Sequence, residues 1–323
     1  MPPTIALTGA TGFIGSVLLR RLSQKGWEVR ALCRREPPPP ERPALPPCGS
    51  VRWVQGDLAD AGALGRLVEG ATAVVHAAGA VRGARAADFF RPNAEGTARL
   101  ADAVLQARPA PRVLLLSSLA AREPQLSPYA ASKRAGEEAL QARGERLDWV
   151  GLRPPAVYGP GDRETLPLLR WMQRGLAPSA LPARGRFSLL HVEDLADAVC
   201  RLLEISPWRP ALYEIHDGRP GGYSWPEVCR TVAAILGRPV RSVPIPRALL
   251  WSAAWVNQAA ALATGGRPML TPGKVRELRH TDWVCDDGPL RSATGWAPRL
   301  SLAEGMRRTF SRIRDGRWLP PEN

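Results

Sequence analysis

The chain has 323 residues, enough for one large α/β unit or a main domain with a smaller lobe, and its 45% apolar content excludes a disordered polymer. Its formal charge of +14 is nearly all arginine, because only Lys25, Lys133 and Lys274 are lysines. No dense basic stripe or nucleic-acid motif accompanies the charge, so no nucleic-acid partner is expected; an anionic membrane, an anionic cofactor or a plain coding preference for Arg and Pro would each account for it.

Cys33, Cys48, Cys200, Cys229 and Cys285 lack paired spacing, which points to a reducing compartment and to neither a disulfide framework nor a zinc site. The four histidines are equally scattered, so no metal centre is expected. A strand pattern begins at Thr4 with no charged leader before it. The expected location is therefore the cytoplasm, at most peripheral to the inner face of a membrane.

In chain order, strands are predicted at Thr4–Thr8, Glu28–Cys33, Val51–Gln55, Ala73–His76, Arg112–Ser117 and Trp149–Arg153. Amphipathic helical patterns at Phe13–Lys25, Ala87–Ala107 and Tyr129–Ala142 separate several of them. Such alternation predicts βαβ units building a parallel sheet, the α/β class. The run Pro37–Pro47 interrupts after the second strand, and its prolines exclude helix and central strand, leaving an exposed loop. Beyond Arg153 the rhythm loosens, and Pro154, Pro155, Gly159, Pro160 and Gly161 mark a long turn. His191–Leu203 and Ala211–Ile215 look like a helix and strand returning to the sheet. The predicted main domain is thus 1–155 plus about 190–217, with 156–189 and 218–323 forming a second lobe.

Thr8–Gly15 follows a strand and opens a helix, with glycines at the spacing G-x-x-G-x-x-G. Gly9 permits a tight turn, Gly12 lets backbone approach a pyrophosphate, and Gly15 lets the helix pack closely on the strand. Helix N-terminal amides then favour the anion, with Thr11, Phe13 and Ile14 completing the cofactor-binding loop. The strand–turn–helix context separates this loop from an ordinary βα turn. The second strand ends in Cys33-Arg34-Arg35, where an acid would bind a ribose 2′-hydroxyl. Arg34 and Arg35 can neutralise a 2′-phosphate, or be incidental in an arginine-rich chain; NADP(H) is expected in preference to NAD(H).

Of four tyrosines, only Tyr129 has a lysine four residues on, Lys133. Positions i and i+4 share a helix face, so phenol and ammonium can act together, and a neighbouring cation is expected to pull the phenol towards neutrality as a general acid. Lysine at this place in a chain saturated with arginine implies that a compact ammonium is needed, one able to hold ribose hydroxyls. Ser117 and Ser118 end the fifth strand, where α/β folds place ligands. Ser118 is preferred as the hydroxyl that polarises the substrate oxygen; either serine could equally be a turn residue.

Together Thr8–Gly15, Gly56-Asp57-Leu58, His76-Ala77-Ala78-Gly79, Asn93, Ser117-Ser118, Tyr129–Lys133, Arg153–Asp162 and His191–Leu195 resemble the extended short-chain dehydrogenase/reductase family over nearly the whole chain. The resemblance implies a doubly wound Rossmann domain with a smaller C-terminal substrate lobe. It also implies that Asp57 and Leu58 flank the adenine and that Ala77, Ala78 and Gly79 line the cofactor. Asn93 would support the active-site helix, Lys133 hold the nicotinamide ribose, and Pro154 to Val157 cover the nicotinamide. Three departures set the chain apart from nucleotide-sugar epimerases and dehydratases. Leu119-Ala120-Ala121-Arg122 follows the serines in place of a Tyr-Gly pair, Pro155 replaces an asparagine, and Cys33 replaces an acid. The branch that looks like 3β-hydroxysteroid dehydrogenases, dihydroflavonol reductases and bacterial 3-oxo-lipid reductases fits better.

Ala248–Thr264 is apolar and Trp-bearing but interrupted by Asn257 and Gln258, too polar at its centre for a membrane span. It is expected to be the core helix of the lobe, or else an interfacial helix admitting a hydrophobic substrate from a bilayer. The expected activity is NADP(H)-dependent reduction of a ketone, or oxidation of the alcohol, on a hydrophobic substrate such as a 3-oxo lipid of ceramide type or a sterol. A nucleotide-sugar epimerase or dehydratase and a non-catalytic NADP-binding scaffold are the alternatives. Expected partners are a small hydrophobic molecule, an anionic membrane surface and a second copy of the chain in a homodimer.

Overall fold

Seven short, mainly apolar runs lie side by side because a strand covered by helices on both faces has little polar surface to offer water. In the computed structural model, which describes residues 2–35, 50–208 and 210–315, they are β1 (Thr4–Thr8), β2 (Glu28–Cys33), β3 (Val51–Gln55), β4 (Ala73–His76), β5 (Arg112–Leu116), β6 (Trp149–Arg153) and β11 (Ala211–Glu214). They pair in the order β3-β2-β1-β4-β5-β6-β11, and every neighbouring pair is parallel. Strand order reverses between β1 and β4, so the crevice where α/β sheets bind ligands opens beyond Thr8 and His76. Cys48 and the predicted loop Pro37–Pro47 lie outside the described residues.

One face of the sheet is covered by α1 (Phe13–Gln24), α7 (Val192–Glu204) and α11 (Gly288–Thr294), whose Leu18, Leu22, Leu195, Val199 and Leu290 share one core with β1 and β4. Burying each such leucine stabilises the fold by about 1.5–3 kcal/mol. The other face is covered by α2 (Ala61–Val68), α4 (Gly96–Gln106) and α5 (Pro128–Gln141), through Leu64, Leu67, Leu100, Val104 and Leu140. The arrangement is a doubly wound Rossmann sheet. Leu290 and Trp296 belong to the main core, so the stretch 218–323 is not wholly a separate lobe.

The lobe is built from short parallel pairs: β7 (Ala156–Tyr158) with β10 (Leu189–His191), β8 (Leu176–Ser179) with β12 (Arg241–Pro244), and β9 (Arg186–Phe187) with β13 (Asp282–Trp283). Helices α6 (Leu166–Gln173), α8 (Trp225–Leu236) and α12 (Leu302–Arg314) close around Leu169, Met172, Val228, Met306 and Phe310. The segment predicted as a lobe core helix is α9 (Arg247–Thr264), and it is largely exposed. Only Leu250, Ala254 and Ala261 are buried, whereas Leu249, Trp255 and Val256 are 60%, 60% and 66% exposed. Its inner stripe is narrow because it meets α10 (Pro272–Arg279) and little else.

Candidate active site

The loop between β1 and α1 is shaped by positions that cannot carry a side chain. Gly9 holds φ +74°, and a Cβ there would lie 2.6 Å from the Ala78 nitrogen. A Cβ on Gly15 would lie 1.9 Å from the Gly9 carbonyl oxygen, so α1 packs this closely on the turn only with glycine. Gly12 is the N-cap of α1; no side chain caps the helix there, and its first turn carries no acid. The N-terminal amides and positive dipole end are therefore directed at an anion. Thr11 and Gly12 are exposed at the crest, while Phe13 and Ile14 face the large cavity described below. A dinucleotide pyrophosphate fits this cradle.

Beside it, Pro92 interrupts the helix predicted over 87–107. Lacking an N–H, it sits in a widened π-helical turn, Arg91–Glu95, between α3 (Ala86–Phe90) and α4. The turn carries Asn93 inward. Its Oδ1 accepts from the Ala80 amide at 2.8 Å, and its Nδ2 donates to the Ala80 carbonyl at 3.0 Å and to Ser132 Oγ at 2.9 Å. Asn93 thus ties the segment after β4 to α5, the helix bearing Tyr129. A second chain of bonds runs below. Thr97 donates to the Asn93 carbonyl at 2.7 Å, so its oxygen accepts from His76 Nε2 at 2.9 Å, and His76 Nδ1 accepts from Thr8 at 2.7 Å. Burial first, and the Lys133 charge second, lower the His76 pKa to about 3, which keeps the ring neutral in that tautomer.

Tyr129 and Lys133 lie on the first turns of α5, whose N-cap Ser127 accepts from the Ala130 amide at 2.9 Å. The lysine reaches back to the end of β5, where Nζ donates to the Leu116 carbonyl at 2.7 Å, close under Gly79. Burial lowers the Lys133 pKa to about 8 despite the Glu137 carboxylate. The expected depression of the phenol is not what the structure gives. Burial outweighs the other influences and raises the Tyr129 pKa; a hydrogen bond with Ser118 opposes it, Glu277 adds to it, and Lys274, rather than Lys133, is the opposing cation. Of the two serines, Ser117 donates to Glu137 at 2.5 Å, and Glu137 is held by Arg153 at 2.8 and 2.6 Å. Ser118 is the hydroxyl beside Tyr129, and its Oγ also accepts from the Ala120 amide at 3.2 Å.

These groups open into a cavity of about 790 Å³ lined by Phe13, Ile14, Ser118, Tyr129, Pro154 and Val157 on the Rossmann side. On the lobe side its wall is chiefly apolar, with Leu168, Met172, Phe187, Trp225, Trp255 and Met306. A second cavity of about 460 Å³ lies past β2 and β3, lined by Arg34, Gln55, Gly56, Asp57, Asp60 and Arg66. Arg35 is exposed next to Arg34 but is not in that lining, and Leu58 packs under Gly96. Ala77, Ala78 and Gly79 run from β4 to Asn93, with the Ala78 amide donating to Thr8 Oγ1 at 3.1 Å.

Three features escaped the sequence. The Glu137–Arg153 pair was legible only as an acid four residues beyond Lys133, and the Thr8–His76–Thr97 chain joins residues far apart in sequence. Lys274 and Glu277, joined at 2.9 Å, line the cavity from α10. The scarcity of lysine that singled out Lys133 applied equally to Lys274.

The model of the NAD dependent epimerase/dehydratase family matches residues 5–213. The chain is 39% identical to a ceramide reductase from Caulobacter vibrioides, over 98% of this chain and 96% of that protein. It is 28% identical to a 2-alkyl-3-oxoalkanoate reductase from Stenotrophomonas maltophilia, over 94% and 97%. Its fold superposes on MoeE5 in complex with UDP-glucuronic acid and NAD with a TM-score of 0.73 at 26% identity, covering 97% of this chain and 99% of that one. With the glycine cradle, the reversal of strand order and the Tyr129–Lys133 helix in place, this chain belongs to the NAD dependent epimerase/dehydratase family and is an NAD(P)-dependent oxidoreductase.

Proposed function

We propose that this protein reduces the ketone of a lipid-like substrate, such as a 3-oxo lipid of ceramide type, with NADP(H) as the reductant and Tyr129 as the proton donor. One observation carries this: Tyr129 and its partner Ser118 open into a chiefly apolar cavity of about 790 Å³, roomy enough for an acyl chain. The ceramide reductase and oxoalkanoate reductase relatives support an acyl substrate over a sterol. Gly9, Gly12 and Gly15 would hold the dinucleotide, which when bound would be the source of hydride for the carbonyl carbon. The chain's own residues supply the rest. Ser118 orients the carbonyl oxygen, and Tyr129, kept protonated by burial, delivers its proton to that oxygen as the alcohol forms. Lys133 positions the ribose side of the crevice, and Asn93 fixes the backbone between the two. Arg34, just past the end of β2, supports NADP over NAD as a guanidinium able to pair with a 2′-phosphate.

The exposed face of α9 supports a membrane as the source of substrate. Arg247 and Arg267 flank Leu249, Trp255 and Val256, α9 contains no acid, and Trp255 also lines the cavity. The test is oxidation of NADPH and of NADH by 3-oxo-ceramide and by a 3-ketosterol, with the lipids presented in anionic vesicles, beside conversion of UDP-glucose followed by chromatography of the sugar nucleotide, since its epimerisation consumes no NADPH overall. Turnover of the ceramide with NADPH and co-sedimentation with the vesicles are expected. Turnover of the nucleotide sugar alone would overturn the substrate, and equal rates with NADH would overturn the cofactor preference.

A further inference from the structure

The cavity is lined by a lysine, Lys274, that the reductase chemistry above gives no contact with substrate. Lys274 sits on the first turn of α10, and α10 is clamped onto the first turn of α5, where Tyr129 lies. Three contacts make the clamp. A Cβ on Gly273 would stand 2.9 Å from Ser127 Cβ, Arg276 Nε donates to the Leu126 carbonyl at 2.6 Å, and Ser127 donates to Glu277 Oε1. The lobe therefore meets the catalytic helix through α10 and presents Lys274 to the same cavity as the phenol.

Most other polar groups of that wall are already committed. Asp162 accepts from Thr165 at 2.6 Å, Glu164 is paired with Arg82 at 2.7 Å, and Gln258 donates to the Ala84 carbonyl at 2.8 Å. The Glu277 carboxylate is engaged by Ser127 on one oxygen and by Lys274 on the other. An ammonium has three N–H donors. Among the described residues, Lys274 Nζ has Glu277 as its one hydrogen-bond partner, at 2.9 Å, and its side chain remains 30% exposed to the cavity. The carboxylate holds the stem in place, and the remaining donors point to a ligand acceptor. An arginine in this arginine-rich chain would supply charge as readily; a compact ammonium suits a single acceptor near the phenol.

We propose that Lys274 is a specificity-determining residue that donates to a polar acceptor on the carbon chain beside the ketone, an amide or carboxyl oxygen, and so aligns the ketone with Tyr129 and Ser118. This rests on the ketone-reductase reading and adds the class of ketone selected, one flanked by an acceptor in place of a plain alkyl ketone. The experiment compares wild type, Lys274→Met and Lys274→Arg on two substrates of matched chain length, a 3-oxo-ceramide and an unsubstituted long-chain methyl ketone, with cofactor affinity followed by NADPH fluorescence. In Lys274→Met, kcat/KM for the 3-oxo-ceramide should fall about tenfold to hundredfold, chiefly through KM, as expected for a lost hydrogen bond from a charged donor. The methyl ketone also meets a Tyr129 deprived of the Lys274 charge, so it should lose some rate through kcat but several-fold less in kcat/KM than the 3-oxo-ceramide, with its KM unchanged; NADPH binding should be unaltered, and Lys274→Arg should recover part of the loss. Equal losses on both ketones would mark a structural role and overturn the assignment, as would no loss on either. Wild type turning over neither ketone would sink the reductase reading itself and this assignment with it, a result distinct from the other two.

Discussion

The two walls of the crevice are built on different principles. The Rossmann wall is defined by backbone: Gly9, Gly15 and Gly136 each leave no room for a Cβ, the last because it would stand 2.4 Å from the Asn93 carbonyl. The lobe wall is defined by side chains, with leucines, methionines and tryptophans around the Lys274–Glu277 ion pair. A wall made of close backbone approaches has one shape and binds one class of ligand. A wall made of exchangeable apolar side chains keeps its fold while its occupant changes, which is how one family serves sugars and lipids.

That contrast breaks first at Gly15. Gly15→Val forces α1 away from the Gly9 carbonyl and should weaken NADPH binding by more than about hundredfold, measured by fluorescence titration. Leu168→Ala, on the lobe wall, should leave NADPH affinity unchanged and raise the KM for an acyl ketone. Equal effects of the two on cofactor binding would erase the distinction between the walls. A smaller effect is expected at the far end of the Rossmann wall. Arg34→Ala should lower the affinity for NADPH about tenfold while that for NADH stays the same. Loss of both in parallel would make Arg34 a general contact, not a 2′-phosphate ligand.

The Rossmann wall was also the legible one. Its strands are near-continuous apolar runs and its turn is punctuated by glycine, so β1 and β6 matched the predicted bounds, and β5 ended one residue earlier than predicted. The helix predicted over 87–107 hid the π turn, because periodicity does not show how a chain absorbs Pro92. The lobe resisted because its strands are two to four residues long and alternate with nothing. There α9 looked like core from composition, yet its apolar residues go all round the helix and, among the described residues, most of them are left uncovered. Tyr129 and Lys133 were visible as an i, i+4 pair, but their electrostatics were not. Burial decides the phenol's proton affinity, and the cation acting on it arrives from α10, distant in sequence.

The central claim is that Tyr129 delivers the proton as the ketone is reduced. Tyr129→Phe removes one oxygen and keeps the ring against Phe89, whose centroid is 6.2 Å away. In a single-turnover measurement with bound NADPH and 3-oxo-ceramide, the rate of NADPH oxidation should fall by about a hundredfold or more with cofactor affinity unchanged. A rate equal to that of the wild type would contradict the account.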